Sequence, residues 1–295
     1  MSRPLLIPLP GNEEFADLLA VPLEAERGAL DVHTFPDGES YVRHLSPLEG
    51  RKVCLLCSLD RPDAKFLPLV FAAAAARDLG CAQVGLIAPY LAYMRQDRRF
   101  RAGESVTSVA FAGLVSGQFD WLATVDPHLH RWHALGDIYR IPSRVVHAAS
   151  HVARWIASAV DAPLLIGPDS ESEQWVAAVA ADAGAPHVIL EKIRRGDRDV
   201  QVSVPDVALW RDRTPVLVDD IVSTARTMIE TIGHLKAAGM RPPVCIAIHA
   251  VFSGAAYDDL LEAGAARIVT SNTIGHPSNA IDITDTIAEA VRALM

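Results

Sequence analysis

The sequence contains neither G-x-x-x-x-G-K-[ST] nor G-x-G-x-x-G, so neither a P-loop nor a Rossmann fingerprint is available to hold a nucleotide. Cysteine is scarce: Cys54, Cys57, Cys81 and Cys245 are the four in 295 residues, all in apolar runs. That usage argues against a disulfide framework and suits a reducing cytoplasm. Cys54-x-x-Cys57 has no second pair with which to build a metal site and lies in a strand pattern, so buried core thiols are expected. Long apolar runs are also missing. Alanine-rich Phe71–Ala76 is too short to cross a membrane, and the opening MSRPLLIPLPGNEE has no cleavage-site pattern of a signal peptide. No membrane partner is expected. Positive charge is in the minority, with Lys+Arg 27 against Asp+Glu 36 and a formal net charge of -9. A nucleic-acid backbone needs a basic face, so nucleic acid is not an expected partner. A small phosphorylated ligand needs only a local basic pocket.

Half of the residues are hydrophobic, enough for a large core. The length fits one large or two medium domains. Short β-rich apolar runs alternate with helical patterns. Strands are expected at Leu5–Leu9, Lys52–Ser58, Gln83–Ala88, Trp121–Val125, Leu164–Gly167, His187–Leu190, Val216–Asp219, Val244–His249 and Arg267–Ser271. Helices are expected at Ala64–Leu79, Ser105–Ser116, His147–Ala159, Glu173–Ala183, Thr224–Ala238 and Ala256–Ala263. Such alternation makes an α/β protein of βαβ units with mainly parallel sheets flanked by helices. Domains are expected at 1–145 and 146–283, with a proline-containing crossover near Arg140–Val145. The final helical pattern, 284–295, can pack on either domain, the first included.

VLVDDIVSTARTM, Val216 to Met228, concentrates the chemistry. Val216, Leu217 and Val218 read as a strand buried on both faces. Asp219 and Asp220 follow at its carboxyl end, where open α/β sheets bind ligands. The next helix has an apolar stripe of Met228, Ile229, Ile232 and Leu235, and Ser223 or Thr224 is expected to cap it. Loop residues Ser223, Thr224, Ala225, Arg226 and Thr227 offer backbone N–H groups, hydroxyls and a positive helix end, which favour a phosphate. Two carboxylates repel a phosphate but suit hydroxyls or a cation. A ligand with vicinal hydroxyls at one end and a phosphate at the other satisfies both halves, as ribose 5-phosphate does. The blander alternative is an Asp-rich turn before an ordinary helix.

This stretch resembles the phosphoribosyl diphosphate (PRPP) loop of the type I phosphoribosyltransferase fold. Further stretches resemble the ribose-phosphate diphosphokinases, or PRPP synthetases: FPDGESYVR at Phe35–Arg43, APYLAYMRQDRRFRAGES at Ala88–Ser105, TVDPH at Thr124–His128, and HAVFSGAAY and TSNTIGHPSNAIDI near the C-terminus. The resemblance runs from about Pro8 to Ile283 in the family's order. It implies two phosphoribosyltransferase-like domains, a homo-oligomer (dimer or larger), Mg²⁺ as cofactor, and ATP and ribose 5-phosphate as substrates. The reaction implied is transfer of a diphosphoryl group from Mg-ATP to O1 of ribose 5-phosphate, giving PRPP and AMP.

Arg95, Arg98, Arg99 and Arg101 form a dense basic cluster in an acidic protein, with Gln96 and Asp97 able to make directional hydrogen bonds to a base or sugar. The resemblance assigns Arg95, Gln96 and Asp97 to ATP. It gives the adenine side to Phe35, Asp37 and Glu39 of a neighbouring subunit. Arg99 and Arg101 read better as solvated charges of an exposed loop. His128, His130 and His133 invite a zinc reading. H-x-H-x-x-H would need one element aiming all three at an open site, which the pattern does not provide. The resemblance makes His128 a contact to ATP phosphate or Mg²⁺, and makes Asp169 a contact to ribose 5-phosphate or Mg²⁺. Lys192 and Arg194, after a short strand, open a charged loop. In the family a Lys-x-Arg here closes over the substrates, and together with His128 these residues are the expected catalytic set. Two departures stand out: Glu171 and Ser172 where the family has glycines after the acid, and Ala225 and Arg226 where the phosphate loop has glycine. Alternative readings are a PRPP-binding phosphoribosyltransferase, which has no need of the RQDR half, and a catalytically silent regulatory subunit.

Overall fold

The computed structural model describes residues 3–167, 172–194, 200–203 and 207–295, and within 191–208 the backbone alone. The chain divides into two compact units: Met1–His147 with Thr273–Gly275 and Ile283–Met295, and Ala148–Asn272 with His276–Asp282.

The first unit runs β1 (Leu5–Pro8), α1 (Glu13–Ala20), β2 (Glu26–Arg27), β3 (Leu30–Thr34), β4 (Ser40–His44), β5 (Lys52–Leu56), α2 (Asp63–Asp78), β6 (Gln83–Ala88), α3 (Thr107–Gln118), β7 (Leu122–Val125) and β8 (Ser143–Val146). Six of these strands form one sheet in the order β2-β1-β5-β6-β7-β8. Every pairing in it is parallel. After their half-buried first residues, Lys52 and Gln83, the central strands are buried, with Val53, Cys54, Leu55 and Leu56 on one and Val84, Leu86, Ile87 and Ala88 on the next. A parallel sheet covered by helices on both faces demands such unbroken apolar runs. Gly85 interrupts β6 for a packing reason. A Cβ there would sit 1.9 Å from the ring of Trp121, which lies against the bare strand. β3 and β4 form a separate antiparallel hairpin, with His33 opposite Tyr41 and Thr34 opposite Ser40.

The second unit runs α4 (Ala149–Ala159), β9 (Pro163–Gly167), α5 (Glu173–Ala183), β10 (His187–Ile189), β11 (Glu191–Arg194), β12 (Val200–Ser203), β13 (Thr214–Val222), α6 (Arg226–Ala237), β14 (Val244–Ala250), α7 (Ala256–Ala263), β15 (Arg267–Ser271) and β16 (Asn279–Ile281). Its sheet has the order β10-β9-β13-β14-β15-β16, again all parallel. β11 and β12 make a second antiparallel hairpin. The last helix, α8 (Thr284–Arg292), belongs to the first unit and packs on α1, β7 and β8.

The two sheets are wound alike. In each, the second strand lies outside the first and the third returns to the first strand's other side. The crevices where this reversal occurs are β1/β5 and β9/β13, the places where such sheets accept ligands. In the first unit the crevice is filled by the chain itself. Asn12 Oδ1 accepts the Ser58 N–H at 2.8 Å, and Asn12 Nδ2 donates to the Leu9 and Pro10 carbonyls. The Ser58 hydroxyl donates to the Thr273 carbonyl, and Asn12, Ser58 and Thr273 are all buried. In the second unit β13 pairs with β9 only through Leu217 and then continues to Val222 beside β14.

Several sequence expectations need correction. The Val216–Asp219 strand spans Thr214–Val222, so Asp219 and Asp220 lie within it rather than at its end. The helix expected from Thr224 starts at Arg226; its N-cap is Ala225, and no side chain caps it. Lys192 and Arg194 are in strand β11 rather than in a loop. The proline-containing junction near Arg140–Val145 leads into β8, the last strand of the first sheet. α1, β2, the β3/β4 hairpin, β8, β12 and β16 were not among the expected elements.

Candidate active site

In the second unit the phosphate-loop sequence takes a form that its composition does not suggest. Ser223 does not cap the helix. Its carbonyl accepts the Ser253 N–H at 3.1 Å, and the two hydroxyls lie 3.4 Å apart, tying the loop to the segment after β14. Ala225 takes up a left-handed conformation, φ 57°, that L-residues other than glycine adopt at a cost. This is one of the two positions where the family pattern has glycine. Its carbonyl accepts the Ile229 N–H at 2.9 Å and so starts the helix. The N–H groups of Arg226, Thr227 and Met228 thus stand at a helix end with no side-chain cap, in a first turn that holds no acidic residue. Five other helices, α1, α2, α5, α7 and α8, place Asp or Glu in the first turn. α6 carries Arg226 there instead, exposed. Asp219 and Asp220 are half-buried on the part of β13 that has outrun β9, and Asp219 Oδ1 accepts the Asp220 N–H at 2.9 Å. Asp169 lies outside the described residues.

In the first unit two segments leave the carboxyl edge of the sheet: 89–106 after β6 and 126–134 after β7. Arg95 and Arg98 are exposed and Gln96 is half-buried. Arg98 lies over the Phe100 ring at 4.8 Å. Arg99 and Arg101 belong to a closed turn: Arg99 Nε donates to the Glu104 carbonyl, while the Glu104 carboxylate accepts the N–H groups of Phe100 and Arg101. Asp97 differs from its neighbours in burial: its side chain is 3% exposed and faces Arg131 Nε at 3.5 Å. Arg131, in the HLHRWH run, was not singled out from sequence because its partner is distant in the chain.

His128 is half-buried, while His130 and His133 are exposed. Among the described residues, no group of three or more His, Cys, Asp or Glu side chains gathers as metal ligands would. Asp126, two residues before His128, accepts a hydrogen bond at 2.8 Å from His147 Nδ1. That bond raises the His147 pKa above its usual value, against a smaller opposing effect of burial. The four thiols are free. Burial pushes Cys54, Cys57 and Cys245 up to about 12, so they are unreactive core groups.

The β3/β4 hairpin carries Phe35, Asp37 and Glu39 in its exposed turn. Phe35 N–H bonds the Glu39 carbonyl at 2.7 Å, and Glu39 N–H bonds Asp37 Oδ1 at 3.2 Å. Asp37 is thereby partly engaged in shaping the turn. His33 stacks on Tyr41 with centroids 4.4 Å apart, and Phe35 meets His33 edge-on at 5.3 Å. His33 and Tyr41 were missed as members of this aromatic surface. Strand alternation does signal them, since positions 33 and 35 share one face of the hairpin and 41 is paired with 33.

Two protein-family models divide the chain between them. Residues 5–117 match the N-terminal domain of ribose phosphate pyrophosphokinase, and residues 143–284 match the phosphoribosyl transferase domain. The molecule is thus an α/β protein of two phosphoribosyltransferase-like domains. Ribose-phosphate pyrophosphokinase of Methanopyrus kandleri is 33% identical over 278 residues, 94% of each chain. That of Saccharolobus solfataricus is 30% identical over 284 residues, 94% of this chain and 95% of the relative. The chain belongs to the ribose-phosphate pyrophosphokinase family of enzymes. Phosphoribosylpyrophosphate synthetase from Mycobacterium smegmatis has the same fold, with a TM-score of 0.84 over 99% of this chain and 98% of the other at 23% identity. Among the described residues no helix is long and apolar enough to cross a membrane.

Proposed function

We propose that the chain transfers the diphosphoryl group of Mg-ATP to O1 of ribose 5-phosphate. The anomeric hydroxyl attacks the β-phosphorus, the bond from that phosphorus to the α–β bridging oxygen breaks, and the hydroxyl proton is released. The products are PRPP and AMP. The observation that carries this reading is the uncapped, acid-free start of α6 beside two carboxylates on the overhanging end of β13. A 5-phosphate is received by the N–H groups of Arg226 and Thr227 and by the hydroxyls of Ser223, Thr224 and Thr227. Asp219 and Asp220 hold the ribose hydroxyls.

ATP takes the first unit's edge, with Arg95 and Gln96 as contacts and Phe35, Asp37 and Glu39 supplied by a second copy. Three features support the borrowed hairpin: its exposed turn, its aromatic surface, and exposed apolar side chains on the helices nearby. Leu67 and Phe71 of α2, with Val109 and Leu114 of the adjoining α3, are exposed in the single chain. Exposed apolar side chains on adjoining helices suit burial against another copy, and β4 packs on the same α2.

Mg²⁺ prefers oxygen ligands and is usually bound by one or two carboxylates plus substrate phosphates, so a protein cage of three ligands is not required. His128 and Asp169 are the residues that would hold it, and when bound it neutralises phosphate charge. Lys192 and Arg194 occupy positions of one face of β11, two residues apart. Their role is to neutralise the diphosphoryl group in flight, because phosphoryl-type transfer depends on positioned charge. Free core thiols and the chemistry of the substrates support the cytoplasm as its place of work.

The test is an incubation of the purified protein with ribose 5-phosphate, ATP and Mg²⁺, followed for AMP and PRPP together. Equal release of both is expected. Lys192→Ala and Arg194→Ala are each expected to lower kcat roughly a hundredfold, about 3 kcal/mol of transition-state stabilisation, with little change in KM. AMP without PRPP, or variants changed only in KM for ATP, sinks the assignment.

A further inference from the structure

We propose that Arg131 is a ligand of the nucleotide's phosphates and that buried Asp97 is the positioning residue that aims it. The inference rests on the reading of the first unit as the ATP site. Asp97 is the buried member of an otherwise exposed or half-exposed run, Arg95 to Arg98. Burying a carboxylate is costly unless a cation compensates it. Here the compensation comes from one guanidinium, and at 3.5 Å from Nε the contact is longer than a good hydrogen bond. A pair serving only as a structural lock would gain most from a close, two-pronged arrangement. Instead the carboxylate attracts the Nε side of the fork, while Arg131 is 45% exposed. Among the described residues no hydrogen bond engages its other nitrogens.

Position supplies the rest of the argument. Asp97 belongs to the segment after β6 and Arg131 to the segment after β7, both at the carboxyl edge of a parallel sheet. Ligands of such sheets bind at that edge. The Asp97 side is fixed to the start of α3, where the Ser108 N–H donates to the Gln96 carbonyl at 3.3 Å. Arg131 comes three residues after His128. A guanidinium held at Nε by a buried acid, on a side chain 45% exposed and paired to the Arg95–Arg98 segment through Asp97, suits a polyphosphate. It does not suit a neutral sugar.

The test uses the full chain and ATP as the probe, with binding and turnover measured separately. Arg131→Gln is expected to weaken ATP binding and raise KM for ATP about tenfold, the effect of one charge-assisted contact, while KM for ribose 5-phosphate stays within about twofold. Arg131→Lys should recover part of the loss. Asp97→Asn should reproduce the ATP defect, and adding Arg131→Gln to it should cost nothing further, since both act through one guanidinium. Unchanged ATP affinity in Arg131→Gln overturns the proposal. So do defects of the two single variants that multiply, or a lowered melting temperature with equal effects on both substrates. Should Asp97→Asn fail to fold, the two Arg131 variants at their half-exposed position still decide. A wild-type protein that makes PRPP beside an unaffected Arg131→Gln refutes this inference alone. A wild-type protein that binds ATP but makes no PRPP refutes the reaction and leaves the Arg131 assignment to the binding data.

Discussion

Arg226 occupies a position that electrostatics disfavours in the free protein. A cation in the first turn of a helix opposes the macrodipole and costs about 0.3–1 kcal/mol when exposed. Arg226 is exposed, opens α6, and has no acidic residue in that turn to offset it. Arg226→Gln keeps the length of the side chain and removes the charge. The free protein should therefore melt roughly 1–4 °C higher, the shift that such an energy produces in a domain of this size. Binding should change in the opposite direction. A charge-assisted contact to a 5-phosphate is worth about 1.5–3 kcal/mol, and solvent screening at an exposed site favours the lower figure. KM for ribose 5-phosphate should rise about tenfold while KM for ATP holds. Thermal melts without ligand and steady-state kinetics with each substrate varied give both readings from one preparation. A variant that melts lower and binds ribose 5-phosphate as well as the parent would refute the reasoning, because it would make Arg226 a structural residue.

Three further outcomes are expected. Gly85→Ala places a Cβ 1.9 Å from the Trp121 ring, which is 1% exposed and walled in; overpacking of this kind should cost about 3 kcal/mol, and a melting temperature within 2 °C of the parent (about the precision of the comparison) would reject the close packing. The proposed assembly through α2 and α3 predicts that Phe71→Glu sediments as a monomer and the parent as a larger species, and identical sedimentation of the two would reject that face as the interface. The Asp126 hydrogen bond raises His147 in the folded state, so its stabilisation is complete below the ordinary value of 6.5 and is lost as pH rises through the folded value. The difference in urea midpoint between parent and His147→Ala should shrink across that window, and a constant difference would mean that the pair does not titrate as described.

Sequence legibility followed burial. Strands such as Val84–Ala88 are apolar on both faces, and no other element explains so short a run closed off by a turn. The β3/β4 hairpin has no fully buried face, so no apolar run marks its strands, and the alternation at 33, 35 and 41 went unread. The extension of β13 through Asp219 and Asp220 was hidden because acidic residues are poor strand formers, and only pairing with β14 holds them extended. Ala225 was legible as a departure from glycine but not as a left-handed residue, since nothing local reports φ. Asp97 read as a ligand because its neighbours are polar. Its burial depends on Arg131, thirty-four positions away in a different loop. Chemistry contiguous in the chain can be read as a candidate site, whereas a partner that only folding brings near, such as Arg131 for Asp97, cannot.

The route of the chain back to the first unit constrains how the protein can be made. Helix α8 covers α1, β7 and β8 with Ile287, Ala288 and Val291, and Thr273 closes the first sheet's crevice. During synthesis the first unit therefore waits, with apolar surface uncovered, until nearly all of the second has been made. A single cut after His147 cannot release two self-sufficient halves, for it would take away the lid and the plug of the first. The duplicated architecture has become one folding unit in time, although it remains two in topology.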